Sequence, residues 1–215
     1  MPTLGADETL TVLGTVDMTN GILVLANSQI DRKALETDAL DPVGISLTEL
    51  HIWNDLASFL PSPSGADDLG IVMGTWGTDA PTVQTKDMVN NDAVQTQYCR
   101  FRVVLGQEYV AAGGVKLRIR AGMITTISDV PYAMLDVECY ADDGDGGVSA
   151  DLCTTAAQSI NSLTKANKEF VITATTLAPG SVLDFRIAIA VRDNEDTGAV
   201  IAEISAISLL RDCRG

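Results

Sequence analysis

The stretch Val115-Lys116-Leu117-Arg118-Ile119-Arg120-Ala121 alternates apolar and basic side chains without a break. Successive side chains of an extended strand point to opposite faces, so this pattern puts the apolar residues on one face and the three bases on the other. A period of two does not suit a helix. The stretch therefore predicts a β-strand with one buried and one solvated face.

The same period recurs at residues 99–105, 133–139 and 183–191. Clusters of Gly, Asp, Asn and Pro separate the segments and can supply the backbone angles that turns require. Shorter apolar stretches bring the count to about eight strands, at residues 50–53, 69–76, 98–105, 115–121, 133–140, 170–175, 183–192 and 199–210. We predict an all-β, two-sheet antiparallel sandwich of the jelly-roll type over residues 48–215, preceded by an extended arm or small lobe at residues 1–47.

The composition describes an acidic chain with a large apolar core. Of its 215 residues, 46% are hydrophobic and 5% aromatic, so Val, Ile, Leu and Ala are expected to fill the core. The formal net charge of −15 disfavours nucleic acid and anionic membranes as partners. No apolar run approaches the roughly 20 residues of a spanning helix, and Met1-Pro2-Thr3 does not resemble the start of a signal peptide, so we expect neither a membrane span nor a cleavable export signal.

Two regions carry apolar residues that one sandwich does not obviously use. Two short strand-like pieces flank the turn signal Asn20-Gly21 and can form a hairpin or an extended arm. The last strand is apolar on both faces, so we expect one face to meet another layer or another subunit. Its candidates for self-association are Val200, Ile204 and Ile207.

Basic side chains alternate on two successive strands. Arg100 and Arg102 lie on one, and Lys116, Arg118 and Arg120 lie on the next. If the strands are adjacent in a sheet, these bases form a cationic stripe that suits an acidic neighbour, such as a second copy of this chain. An ordinary solvated sheet face is the alternative.

No constellation predicts catalysis or a cofactor. Asp142, Asp143 and Asp145 are weak calcium candidates, because carboxylates are calcium ligands but the spacing is not that of an EF-hand, and a solvated acidic turn is the alternative. His51 is the only histidine, and the spacing shows no nucleophile that it could activate in a catalytic triad. The pair Asp136 and Glu138 has the residue type for glycoside cleavage, as any acidic strand does.

The four cysteines, Cys99, Cys139, Cys153 and Cys213, lack the spacing of a zinc or thioredoxin motif, so no metal site is predicted from them. We expect free thiols, with Cys99 and Cys139 acting as small core residues. A bridge between Cys139 and Cys153 is the alternative.

Four aromatic residues offer a second kind of site. Trp53, Trp76, Tyr132 and Tyr140 can form a platform for a sugar, although packing in the core or at an interface is the simpler use for them. Exposure of Trp53 or Trp76 beside a groove would distinguish the two.

The segment 177–187, LAPGSVLDFRI, followed by an Asp-rich turn and a closing apolar strand, resembles accessory structural proteins of tailed bacteriophage particles, and so do Ala6-Asp7-Glu8-Thr9-Leu10 and residues 17–21. The resemblance implies a capsid decoration or cement protein that stabilises the icosahedral shell as a homotrimer. It implies the major capsid protein as partner, a virion location after synthesis in the host cytoplasm, and an arm that contacts the shell. The arm residues assigned to that contact are Leu10, Val12, Ile22 and Leu23.

Because one sandwich fold serves many functions, a second hypothesis belongs beside the first. It is a carbohydrate-binding or receptor-binding β-sandwich module of a phage tail. An enzyme is not expected.

Overall fold

The computed structural model describes residues 40–63, 67–88, 93–125, 132–142, 144–193 and 198–213. The predicted arm residues Leu10, Val12, Ile22 and Leu23 lie outside these ranges. The described residues form one 3₁₀ turn, Leu47–Glu49, and twelve strands. The strands are β1 (Asp41–Ile45), β2 (His51–Ile52), β3 (Asp55–Phe59), β4 (Gly70–Val72), β5 (Thr82–Gln84), β6 (Gln95–Val104), β7 (Val115–Thr125), β8 (Tyr132–Ala141), β9 (Gln158–Ser159), β10 (Ala166–Ile172), β11 (Val182–Arg192) and β12 (Ile201–Arg211).

The strands pair antiparallel in two six-stranded sheets. The first sheet has the order β10-β7-β12-β5-β4, with β1 also on β12, and the second has the order β3-β2-β6-β11-β8-β9. The predicted two-sheet antiparallel sandwich is confirmed. Each predicted strand has a counterpart, whereas the shorter strands β1, β3, β5 and β9 were not predicted. Among the described residues, no helix is long and apolar enough to cross a membrane.

The core lies between the sheets and is built by alternation. Every second residue of β7, β8 and β11 is buried, in the period that the sequence predicted. In the second sheet, Phe101 of β6 and Phe185 of β11 stand opposite each other and stack with ring centroids 5.0 Å apart. Because the inner positions are apolar, the polar residues of these strands collect on the outer faces.

The apolar residues of the last strand belong to this core. The self-association hypothesis requires three side chains to be open to a second copy of the chain. The structure instead buries them, with 0 to 3% exposure for Val200, Ile204 and Ile207. A β-bulge between Ile204 and Ala206 brings Ile204 and Ile207 to the same face. The extra residue changes the alternation, so that Ile204 and Ile207 both face inward although they are three positions apart.

The predicted cationic stripe does not form. Arg100 and Arg102 lie on β6 in the second sheet, whereas Lys116, Arg118 and Arg120 lie on β7 in the first sheet. The connection between β6 and β7 crosses from one sheet to the other, so the two sets of bases point outward on opposite sides of the sandwich. On β7, Lys116 and Arg118 share one carboxylate, that of Glu169, at 3.3 and 2.6 Å.

The sandwich also includes part of the segment assigned to the arm. In β1, Asp41 to Ile45 pair with Arg211 to Ile207 of β12, which places residues 41–45 in the first sheet. Pro42 fits here because β1 pairs only with β12 among the described strands, and a strand edge tolerates a residue without an amide hydrogen.

Candidate binding site

The outer face of the second sheet carries its polar and aromatic side chains in rows. Across the central strand β11, Ala188 stands opposite Tyr98 of β6 and Asp136 of β8, and in the next row Arg186 stands opposite Arg100 and Glu138. Rows two residues apart on a strand share a face, so these side chains project together into solvent. The face therefore combines alanines on the central strand with larger side chains on both neighbours.

The small size of Ala188 and Ala190 leaves a first cavity of about 330 Å³. Its floor is the two alanines, and its walls include Tyr98 on β6 and Tyr132 and Asp136 on β8. The ion pair between Arg186 and Glu138 forms one end, because both residues also line it.

A second cavity of about 380 Å³ begins on the other side of that ion pair. Arg100 and Asp184 lie on its floor, and Trp53, Tyr140 and Val148 stand around it. Trp53 reaches this place because it lies in the tight turn between β2 and β3, at the end of β2. Since Arg186 and Glu138 line both cavities, we treat them as one trough, running along β11 from Asp184 to Ala190.

Arg186 is the central side chain of the trough. Its guanidinium carbon lies 5.5 Å from the ring centroid of Trp53 and 5.0 Å from that of Tyr98, which are cation–π distances. Its Nη2 donates a hydrogen bond of 2.6 Å to Oε1 of Glu138. The rings of Trp53 and Tyr98 are themselves 5.3 Å apart, so one cluster joins the β2–β3 turn to the sheet.

Paired charges continue along the floor. Arg100 Nε donates to Asp184 Oδ1 at 2.7 Å, and its Nη2 donates to the other carboxylate oxygen, which together raise the pKa of Arg100. Next to this pair, outside the lining of the trough, Arg102 donates to Asp142 at 3.2 Å. Burial, with Glu138 nearby, raises the pKa of Tyr140, whose hydroxyl donates to Glu138 Oε2 at 3.5 Å. The trough thus presents hydrogen-bonding groups whose charges largely cancel.

The structure brings together three of the four predicted platform residues. Trp53, Tyr132 and Tyr140 line the trough, whereas Trp76 lies in the loop between β4 and β5 of the first sheet and is fully exposed. Sequence reasoning missed Tyr98 and Arg186. The alternation of residues 186–190, RIAIA, was the available signal, because two outward alanines between inward isoleucines predict a depression in a sheet face.

The calcium candidates act as turn residues. Asp142 Oδ1 accepts from the Gly144 amide at 2.9 Å, and Asp145 Oδ1 accepts from the Gly147 amide at 3.1 Å. Asp142 also binds Arg102. Asp143 lies outside the described residues, and no group of metal-binding side chains occurs among those that are described.

The remaining candidates take structural places. His51 stacks on Phe59 of β3 with ring centroids 4.5 Å apart. All four cysteines are free, so the Cys139–Cys153 bridge is not formed. Cys99 and Cys139 are fully buried core residues as predicted, and burial raises the pKa of both thiols.

Comparison with known proteins gives structural likeness alone. No family model and no curated protein matches the chain. The similar solved structures include the xylan-binding module CBM15 (9% identity, TM-score 0.44, 82% of this chain and 100% of that one). They also include the CBM22-2 xylan-binding domain of Paenibacillus barcinonensis Xyn10C (9% identity, TM-score 0.38, 69% of this chain and 89% of that one). A third is the CBM22-1–GH10 part of Clostridium thermocellum xylanase 10B, at 10% identity and a TM-score of 0.42. That match covers 80% of this chain but only 29% of the xylanase chain.

These findings contradict the capsid decoration function, because the similar structures are carbohydrate-binding modules. The resemblance to tailed-phage proteins, the homotrimer, the major capsid protein as partner and the virion location are tested by none of them and stay predictions.

Proposed function

We propose that this chain binds carbohydrate, holding an extended oligosaccharide in the trough on the outer face of the second sheet. The observation that carries the proposal is the pair of adjoining cavities, lined by Trp53, Tyr98, Tyr132 and Tyr140 and joined by Arg186 and Glu138.

The dimensions of the trough suit a chain rather than a single small molecule. From Asp184 to Ala190 the floor advances six residues, or about 20 Å at roughly 3.3 Å per strand residue. That length accommodates several sugar units in a row. The open sheet face lets the ends of a longer polymer continue past both cavities.

The chemistry of the trough suits sugars as well. Sugar rings have apolar faces that pack on aromatic rings, and hydroxyls that both donate and accept hydrogen bonds. The trough supplies rings at its walls and ion pairs at its floor, where Arg100–Asp184 and Arg186–Glu138 offer donors beside acceptors. Such groups recognise hydroxyls, and because each of these two bases has an acid beside it, they leave no unpaired positive charge to attract an anion.

We also propose binding without cleavage. The two carboxylates of the first cavity, Asp136 and Glu138, lie side by side on one strand, and Glu138 is held by Arg186. Cleavage by a pair of acids requires them to flank the scissile bond. Prolonged incubation of a bound oligosaccharide should therefore release no new reducing ends.

The two tryptophans provide a matched test. Oligosaccharides of glucose, xylose and mannose are titrated calorimetrically into the wild type, Trp53→Ala and Trp76→Ala. We expect Trp53→Ala to weaken binding by about tenfold or more, equivalent to about 1.4 kcal/mol, because a wall of the second cavity is lost. Trp76→Ala should bind like the wild type.

Trp53→Phe keeps an aromatic ring in the wall of the cavity, and thermal unfolding of each variant reports whether the fold is intact. Together they show whether Trp53→Ala weakens binding by removing the wall or by disrupting the fold. Equal binding by Trp53→Ala and Trp76→Ala would refute this site. Failure of a broad glycan panel to bind the wild type would refute the function.

A further inference from the structure

We infer that the first cavity selects a sugar unit that carries a free amino group. This inference rests on the proposed function and adds the class of sugar. It depends on one carboxylate, Asp136, in the wall of a pocket whose other two charged side chains, Arg186 and Glu138, are paired with each other.

Asp136 differs from the other acids of the trough. Its Oδ1 accepts a hydrogen bond of 3.0 Å from the Val137 amide. Asp184 and Glu138 each pair with an arginine, whereas no basic side chain in the described part of the chain forms an ion pair with Asp136. Its second oxygen is thus available to a ligand.

The pocket around Asp136 is shaped for one sugar ring. Tyr98, Ala188 and Asp136 lie in one row across β6, β11 and β8. Two strand spacings separate the outer members of the row by about 10 Å, with only a methyl group between them. A ring lying over Ala188 therefore meets Tyr98 on one side and Asp136 on the other, with Tyr132 near one end.

The charges of the pocket favour a cation over an anion. Asp136 and Glu138 line it together with a single base, Arg186, which is already bound to Glu138. Arg192 lies over the Tyr132 ring at 5.9 Å but is not part of the lining. One uncompensated negative charge beside aromatic rings is the arrangement that binds ammonium groups in proteins.

The probes are tetramers of glucosamine and of N-acetylglucosamine, which differ in whether the amine is free or acylated. They are titrated at a pH that keeps the free amine protonated. We expect the glucosamine tetramer to bind about ten- to a hundredfold more tightly, as suits a charge-assisted hydrogen bond. Asp136→Asn should remove this preference, and it keeps Oδ1 for the Val137 amide.

A matched variant controls for general attraction of a cation to an acidic protein. Glu49 is exposed in the 3₁₀ turn and lines neither cavity, so Glu49→Gln removes the same charge without changing the trough. If Glu49→Gln weakens glucosamine binding as much as Asp136→Asn does, the attraction is not local and the inference is overturned.

The remaining outcomes separate this inference from the proposed function. Equal or weaker binding of the glucosamine tetramer, with sugar binding that still depends on Trp53, overturns the amino selectivity and leaves the function standing. Absence of binding by every sugar overturns both. Preference for the free amine that Asp136→Asn abolishes and Glu49→Gln preserves supports both.

Discussion

Removal of the Lys165 ammonium should destabilise the fold far more than removal of a similar surface charge. Lys165 Nζ lies 2.6 Å from Oε1 of Glu203, whose side chain is only 7% exposed. Glu203 stands opposite Gly122 of β7, and the loop before β10 crosses this glycine, with Lys165 against the space where a Cβ would be. Without the ammonium, the Glu203 carboxylate is a buried charge with no ion-pair partner and little contact with water.

The magnitude follows from burial. Removing one partner of a fully buried pair costs about 3–5 kcal/mol, and because Lys165 remains 30% exposed, so that water can reach the carboxylate, we expect about 2–3 kcal/mol for Lys165→Met. Methionine retains most of the aliphatic stem, so the loss reports the charge. The matched control is Lys116→Met, because Lys116 pairs with Glu169 at an exposed site, where the cost should stay below about 1 kcal/mol.

Urea unfolding at neutral pH measures both free energies. Adding Glu203→Gln to Lys165→Met should recover part of the loss, since the double variant has no buried charge to solvate. If Lys165→Met and Lys116→Met lose the same stability, or if Glu203→Gln brings no recovery, burial of the carboxylate is not the reason for the cost.

Three further predictions concern other parts of the sandwich. Gly122→Ala should lower the unfolding free energy by about 1–3 kcal/mol in urea, because a Cβ would lie 2.9 Å from the Ser162 carbonyl oxygen; a neutral effect would contradict the close approach of that loop. Ala188→Leu should abolish sugar binding in calorimetry while the melting temperature changes little, since it fills the first cavity from its floor; retained affinity would place the ligand elsewhere. The hydrogen bond from Arg118 lowers the pKa of Glu169 below its ordinary 4.5, so its stabilisation is present above that pH and disappears as the pH falls through the lowered pKa. Glu169→Gln should therefore be less stable at neutral pH, by less than about 1 kcal/mol because the pair is exposed, and equal to the wild type in strong acid, as acid and neutral urea series can check.

The strands with two unlike faces could be predicted from sequence, and their pairing could not. β7 and β11 alternate apolar and polar residues because one side of each strand packs in the core and the other side meets water. This pattern can be recognised from consecutive residues alone. Which strands become neighbours depends on contacts between distant segments. Thus the bases of β6 and β7 lie close in sequence but on opposite sides of the sandwich.

The candidate site was visible only in part for the same reason. The aromatic side chains of Trp53, Tyr132 and Tyr140 made them candidates from sequence alone. Tyr98 and Arg186 become site residues only through their contact, since they are 88 positions apart in sequence but the guanidinium carbon lies 5.0 Å from the tyrosine ring centroid. For the acidic cluster, the structure agrees with the alternative of an acidic turn, because Asp142 and Asp145 accept hydrogen bonds from amides of their own turns. Composition alone does not distinguish an acid that caps a turn from one that awaits a ligand.

The bulge in β12 makes one residue of this strand dispensable. On either side of Ser205, Ile204 pairs with Ala121 and Ala206 pairs with Arg120, which are consecutive on β7. Deletion of Ser205 would therefore close the ladder into regular alternation and keep every core residue facing inward. Deletion of Ser208, three residues on, would turn part of the strand inside out. Loss of one residue should accordingly be tolerated at Ser205 and rejected at Ser208.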